Sequence, residues 1–132
     1  LENSARTAQD AAKALDCNVG AIVKSLLFRT GDDFILCLVA GDKRCSLNKL
    51  KKLKDKKDIL MASPEEVKTQ TGYTIGGVSP IGHLNKIEII IDKSLERFNQ
   101  LFAAAGHPNC VFKINFINIQ KITNGKVENI IE

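Results

Sequence analysis

Ile22-Val23-Lys24-Ser25-Leu26-Leu27-Phe28-Arg29, then Thr30-Gly31-Asp32-Asp33, then Phe34-Ile35-Leu36-Cys37-Leu38-Val39-Ala40 is the stretch on which the fold turns. Two runs rich in branched and aromatic residues flank a Gly-Asp turn, the pattern of adjacent strands closed by a tight hairpin. Outward from this hairpin, Thr7-Ala8-Gln9-Asp10 opens a helix with a Thr cap and an acid three residues on. Ala8, Ala11, Ala12 and Leu15 give it a narrow apolar stripe that ends near Asp16. On the other side, Leu47, Leu50 and Leu53 behind Ser46 predict a short amphipathic helix, and residues 59–62 a short strand. Ser63-Pro64-Glu65-Glu66 combines an N-cap, a first-turn proline and a capping acid before Gly72 stops the helix. Residues 86–91 predict a strand and 92–105 a helix with Leu95, Phe98, Leu101 and Phe102 inward and Gly106 as its stop. Residues 110–117 predict a strand, 118–123 a turn, and 126–131 a closing strand. The irregular alternation of strands and helices predicts an α+β fold: a mixed, mostly antiparallel sheet or barrel flanked by helices, over 1–132 as a single domain.

The chain has 132 residues, 44% hydrophobic and 26% charged, so a single core suffices without disulfides or a structural metal. The longest unbroken run of Ile, Leu, Val, Phe or Met in the second half is Ile89-Ile90-Ile91, and nowhere do apolar residues approach the roughly 18 in a row that a membrane helix needs. Residues 1–20 lack the basic-then-apolar order of a signal peptide. Cys17, Cys37, Cys45 and Cys110 have neither metal-knuckle nor redox-motif spacing, so they read as reduced thiols. A cytoplasmic protein without membrane association, metal or cofactor is the expectation.

Charge is concentrated. Lys43, Arg44, Lys49, Lys51, Lys52, Lys54, Lys56 and Lys57 face Asp55 alone between residues 43 and 57, against a whole-chain net charge of +4. Such a patch suits a polyanion held by many salt-sensitive phosphate contacts, with a lysine-rich solvated helix as the competing reading. Lys43, Arg44, Lys49, Lys52 and Lys56 are its candidate nucleic-acid contacts.

Two features point to chemistry. On a strand, Ile22, Lys24, Leu26 and Phe28 share one face, so Lys24 sits where apolar residues go, and its ammonium needs an anion, a polar partner or a path to solvent. The twelve residues Gly72-Tyr73-Thr74-Ile75-Gly76-Gly77-Val78-Ser79-Pro80-Ile81-Gly82-His83 carry four glycines and a proline between a capped helix and a strand. The Gly77 to Gly82 spacing matches a nucleotide-binding P-loop, but His83-Leu84 stands where Lys-Ser/Thr is required, which excludes nucleotide hydrolysis. Glycines there suit a surface that brings backbone N–H groups close to a ligand carbonyl. His83 and His107 are the only histidines, with no Cys or acid at ligand spacing, and no Ser-His-Asp, Cys-His or paired-carboxylate constellation can be assembled.

Several segments, in order, resemble the YbaK/ProX aminoacyl-tRNA deacylases, relatives of the editing domain inserted in bacterial prolyl-tRNA synthetase. They are Thr7-Ala8-Gln9-Asp10-Ala11-Ala12, Val23-Lys24-Ser25-Leu26-Leu27, Val39-Ala40-Gly41-Asp42, Ala62-Ser63-Pro64-Glu65-Glu66-Val67, Thr71-Gly72-Tyr73 with Gly76-Gly77-Val78-Ser79-Pro80-Ile81-Gly82, and Ala105-Gly106-His107-Pro108-Asn109. The resemblance implies a β-barrel flanked by helices and hydrolysis of the ester between a wrong amino acid, typically Cys or Ala, and the proline tRNA. It places the family's central lysine on Lys24 and a substrate-cradling loop on Gly76, Gly77, Ser79, Pro80 and Gly82, with Gly77 taken as catalytic beside Lys24. His83 joins the substrate-binding set, and His107 falls in a segment that borders the pocket in some members. Aminoacyl-tRNA is the implied partner, with a prolyl-tRNA synthetase as a second. Relatives usually carry another helix and strand before Thr7, so an N-terminal pocket wall is expected to be missing here.

Overall fold

The computed structural model describes residues 8–107 and 110–132. Helix α1 spans Ala8–Leu15, strands β1 and β2 span Val23–Thr30 and Asp33–Ala40, and helix α2 spans Leu47–Lys54. Strand β3 (Ile59–Met61), helix α3 (Pro64–Thr71) and strand β4 (Glu88–Asp92) follow, then strands β5 (Leu101–His107) and β6 (Cys110–Ile114), helix α4 (Phe116–Thr123) and strand β7 (Lys126–Glu128). The Thr7 cap lies outside the described residues, as do Pro108 and Asn109.

The hairpin forms as its turn chemistry dictates: β1 and β2 pair antiparallel from Val23↔Ala40 to Thr30↔Asp33, with Gly31 at φ +59° in the turn. The sheet has the order β3-β1-β2-β4-β7. β3 joins β1 antiparallel, whereas β2–β4 and β4–β7 are parallel. A second, two-stranded antiparallel sheet is β5–β6. This is the expected α+β architecture, a mixed sheet flanked by helices. Closure into a barrel is not seen, because no pairing joins β3 to β7 across the ends of the five-strand order.

Both faces of the central hairpin are covered, so apolar residues appear on both sides of its strands, most fully from Ile35 to Ala40 of β2. On one face Val23, Leu27, Leu36, Leu38, Ile89 and Ile91 pack with Val67 of α3, Ile119 of α4, and Leu101 and Ala103 of β5. On the other, Phe28, Ile35, Cys37, Val39 and Ile90 pack with Leu50 of α2 and with Ile130. A third, small cluster joins Ala12 of α1 to Ala21, Ile22 and Phe102. Gly41 lets the end of β2 come up against these elements: a Cβ there would lie 2.3 Å from the Val19 carbonyl and 2.9 Å from Ala8 Cβ.

Four expectations are corrected. Residues 92–105 are not one helix: a 3₁₀ turn covers Lys93–Arg97, capped by Asp92, and Leu101–His107 is strand. Ala103, Ala104 and Ala105 favour a helix, yet Leu101 and Ala103 face the main core while Phe102 faces α1, a two-residue period that hairpin pairing with β6 enforces. Residues 118–123 lie in helix α4 rather than a turn, because Asn115 caps it by accepting from the Asn118 N–H at 2.8 Å and so ends β6 at Ile114. The closing strand stops at Glu128, with only an isolated bridge from Ile131 to Cys45 beyond it. Leu53 is 42% exposed, so Leu47 and Leu50 alone anchor α2.

Candidate functional site

β1 and the loop after α3 meet at a cavity of about 300 Å³. Its walls are mainly apolar: Ala8 and Ala11 of α1, Ile22, Val23 and Leu26 at β1, Ile75 and Val78 of the loop, and Phe102, Ala104 and Val111 of β5–β6. Lys24, Ser25 and Gly76 complete it. The two sequence features that pointed to chemistry, the lysine on an apolar strand face and the glycine loop, are therefore brought together.

Lys24 lies on the face of β1 that carries Leu26 and Phe28, as its alternation requires, while Ile22 belongs to the small α1 cluster. Its ammonium is not left without a partner: it donates to the main-chain carbonyl of Lys43. Desolvation, followed by the neighbouring positive charge of Arg44, pulls the Lys24 ammonium below its ordinary pKa, opposed by Asp42 and Cys45. Asp42 is itself fixed by a two-pronged contact with Arg97 at 2.7 and 3.1 Å. That contact holds the Asp42 carboxyl below its usual range and pins the segment that supplies the Lys43 carbonyl.

The loop is ordered by its own chemistry. Ser63 and Glu66 form the predicted capping box at the start of α3, with Glu66 N–H to Ser63 Oγ at 3.1 Å and Ser63 N–H to Glu66 Oε1 at 2.9 Å. Gly72 ends the helix in the left-handed region at φ +83°. Tyr73, the single tyrosine of the chain, then acts as the loop's post. Its hydroxyl donates to the Ile81 carbonyl at 2.9 Å and its ring meets His83 edge-on at 6.1 Å. His83 Nε2 donates to the Ser79 carbonyl at 2.7 Å, which fixes the proton on that nitrogen. Ser79 and Pro80 are buried and serve the loop's interior.

The candidate residues thus divide. Lys24 and Gly76 line the cavity; Gly77, Ser79, Pro80, Gly82 and His83 build the loop that shapes it. The Gly77 N–H donates to the Thr74 carbonyl at 2.9 Å within the loop, whereas the Gly76 N–H has no partner among the described residues. His107 is exposed at the end of β5 and is not among the lining residues; Ala104 and Val111 represent its hairpin there. Sequence reasoning includes Tyr73 and Ser25 in its motifs but singles out neither as a site residue. A lone tyrosine beside four glycines is the available signal for the first, and a polar residue between Val23 and Leu27 for the second.

The basic segment begins at Lys43, the residue that holds Lys24. α2 is capped by Ser46, which accepts from the Lys49 N–H, and ends at Asp55 in the left-handed region. Lys54 is neutralised by Glu88 at 2.6 Å, while Lys49, Lys51, Lys52, Lys56 and Lys57 rim a shallow depression on the outer side. Among the described residues no three His, Cys, Asp or Glu side chains form a metal-binding group, and no helix is long and apolar enough to cross a membrane.

Fold and site describe a small α+β domain with a mainly apolar, lysine-containing cavity and a separate lysine-rimmed surface on α2. The chain belongs to the aminoacyl-tRNA editing domain family, whose model matches residues 2–122. It is 36% identical over 128 residues to the uncharacterized protein YwhH of Bacillus subtilis, covering 96% of this chain and 81% of that one. It is 29% identical over 116 residues to the proline–tRNA ligase of Thermosipho melanesiensis, covering 88% of this chain but only 20% of the ligase. A solved structure described provisionally as a trans-editing enzyme for prolyl tRNA synthetase superposes with a TM-score of 0.93 at 36% identity, over 98% of this chain and 82% of that one.

Proposed function

We propose that the chain is a hydrolase that acts in trans on mischarged aminoacyl-tRNA, with Cys- or Ala-charged proline tRNA as its substrate class. One observation carries this reading: in a member of the editing family, Lys24 and Gly76 stand on the walls of one small, mainly apolar cavity. An aminoacyl ester is already activated. Its hydrolysis needs a positioned water and stabilisation of charge on the carbonyl oxygen, so no triad is required. Water adds to the carbonyl carbon, the bond to the ribose oxygen breaks, and that oxygen takes up a proton as the free amino acid leaves.

Lys24 binds the ester carbonyl or the phosphate of the terminal adenosine, and the loop donor closest to the substrate is the unpartnered Gly76 N–H rather than that of Gly77. Lys43, Arg44, Lys49, Lys52 and Lys56 hold tRNA phosphates. A small cavity suits the task, since one or two methylenes are worth only about 1–3 kcal/mol to a synthetase's own pocket, and a second, smaller site excludes the correct residue. The prolyl ligases among the relatives support proline tRNA as the carrier, a prolyl-tRNA synthetase as the partner that supplies it, and the cytoplasm as the compartment. The engagement of the Gly77 N–H within the loop favours one other reading, a noncatalytic RNA-binding module. A panel of Ala-, Cys-, Ser- and Pro-charged proline tRNA, with no metal added, separates them. Release of Ala or Cys with Pro spared supports the hydrolase; salt-sensitive binding with no release supports the module.

A further inference from the structure

We propose that Ser25 holds the α-ammonium group of the aminoacyl moiety in this cavity, an inference that rests on the deacylase reading above. Ser25 Oγ is shut off from bulk water and makes no hydrogen bond among the described residues. A buried hydroxyl left unmatched weakens a fold, and none of the described residues supplies Ser25 with a partner, so the site has an acceptor to offer a ligand. Ser25 is also a lining residue, and among the described residues the only other polar side chain on the cavity wall is Lys24, which can donate but not accept. Among the described residues Ser25 therefore carries the one side-chain acceptor available to a cation there.

The backbone adds a second acceptor. β3 pairs along the outer edge of β1 only from Phe28 to Thr30, and Ile22 is bridged to Phe102, so among the described residues no strand pairs with that edge at residues 24–26. The Leu27 carbonyl points outward on this edge, where it accepts from the Ala62 N–H at 2.9 Å. Main-chain groups two residues apart on a strand face the same way, so the N–H and C=O of Ser25 are turned outward on the uncovered edge as well. A turn about χ1 moves Oγ among its three staggered positions with no change of backbone. Lys24 does not compete, since an ammonium donates and cannot accept from a second cation.

The α-nitrogen of an aminoacyl ester is two bonds from its carbonyl carbon. Holding the ammonium at Ser25 would fix the carbonyl between Lys24 and Gly76 and select α-amino esters over their α-hydroxy counterparts. The test compares alanyl-tRNA with lactyl-tRNA, which carries a neutral hydroxyl in place of the ammonium, using the full chain and its Ser25→Ala and Ser25→Thr variants. Ser25→Ala is expected to lower kcat/KM on alanyl-tRNA by about 10- to 100-fold, the converted worth of one hydrogen bond to a charged group, and on lactyl-tRNA several-fold less. Its melting temperature should equal or exceed the parent's, because an unmatched buried hydroxyl is gone, and Ser25→Thr should keep most of the preference for alanyl-tRNA. Equal losses on the two substrates, no loss on either, or a lowered melting temperature with proportionate loss of activity would overturn the assignment of Ser25 while leaving the deacylase reading in place. A parent that releases nothing from either substrate would overturn both.

Discussion

Replacing Gly82 with alanine tests whether the 72–83 loop is a fixed scaffold for the cavity. Gly82 sits at φ +76°, in the left-handed region, where an L side chain costs about 1 kcal/mol. A Cβ there would fall 2.6 Å from Tyr73 Oη, so the ring has to move. The hydroxyl then gives up its 2.9 Å bond to the Ile81 carbonyl, worth about another 1 kcal/mol. The ring has little room to yield: it lies against Gly106, where a Cβ would come within 3.1 Å of Tyr73 Cε1, and edge-on to His83. The sum is about 2 kcal/mol, and at roughly 3–5 °C per kcal/mol for a domain of this size the melting temperature should fall by roughly 6–10 °C. Thermal unfolding followed by circular dichroism measures it. Tyr73→Phe should cost about 1 kcal/mol alone, and the double variant less than the two added, because both remove the same bond. A Gly82→Ala protein that melts within about a degree of the parent would refute the role of Tyr73 as the loop's post.

Two further outcomes are expected. Lys49, Lys52 and Lys56 replaced together by alanine should raise KM for charged tRNA and flatten the log–log salt dependence of binding by up to about 0.9 for each phosphate no longer neutralised; an unchanged slope removes α2 from the RNA interface. Glu66 is held below its ordinary value of 4.5, first by the Ser63 N–H and then by Arg29, so its contribution is complete above that pH and is lost as pH falls through the depressed value. Glu66→Gln should therefore flatten the acid limb of a melting-temperature profile below about pH 4.5, and a limb identical to the parent's would contradict the capping box.

What is legible in the sequence is local. The hairpin around Gly31, the capping box at Ser63 and the stop at Gly72 each depend on residues within a few positions, and each stands where the turn and cap chemistry put it. The segment 101–107 misleads because its alanines and the spacing of Leu95, Phe98, Leu101 and Phe102 suit a helix, and only pairing with the later strand β6 overrides that preference. The strand order is not foreseeable either, since β2–β4 and β4–β7 are parallel pairings across long sequence separations that no turn announces. At the site, Lys24 stands out because one face of β1 is otherwise apolar. Ser25 does not, because its own partners there, Val23 and Leu27, face a core assembled from α3, α4 and β5. Composition does not reveal which glycine N–H of the loop is engaged either, since that is decided by the turn in which Gly77 N–H donates to the Thr74 carbonyl.

The most direct measurement is kcat/KM for Lys24→Ala on Ala- or Cys-charged proline tRNA, with folding checked by circular dichroism. Lys24 stands on the cavity wall with its charge partly desolvated, on the strand face that carries Leu26 and Phe28, so its loss removes the one cation that lines the cavity among the described residues. The variant should fold and be slowed by roughly 10²- to 10³-fold, with Lys24→Arg restoring little because a planar guanidinium does not take the place of a compact ammonium. A folded Lys24→Ala protein that deacylates at the parent's rate would contradict the role assigned to this lysine.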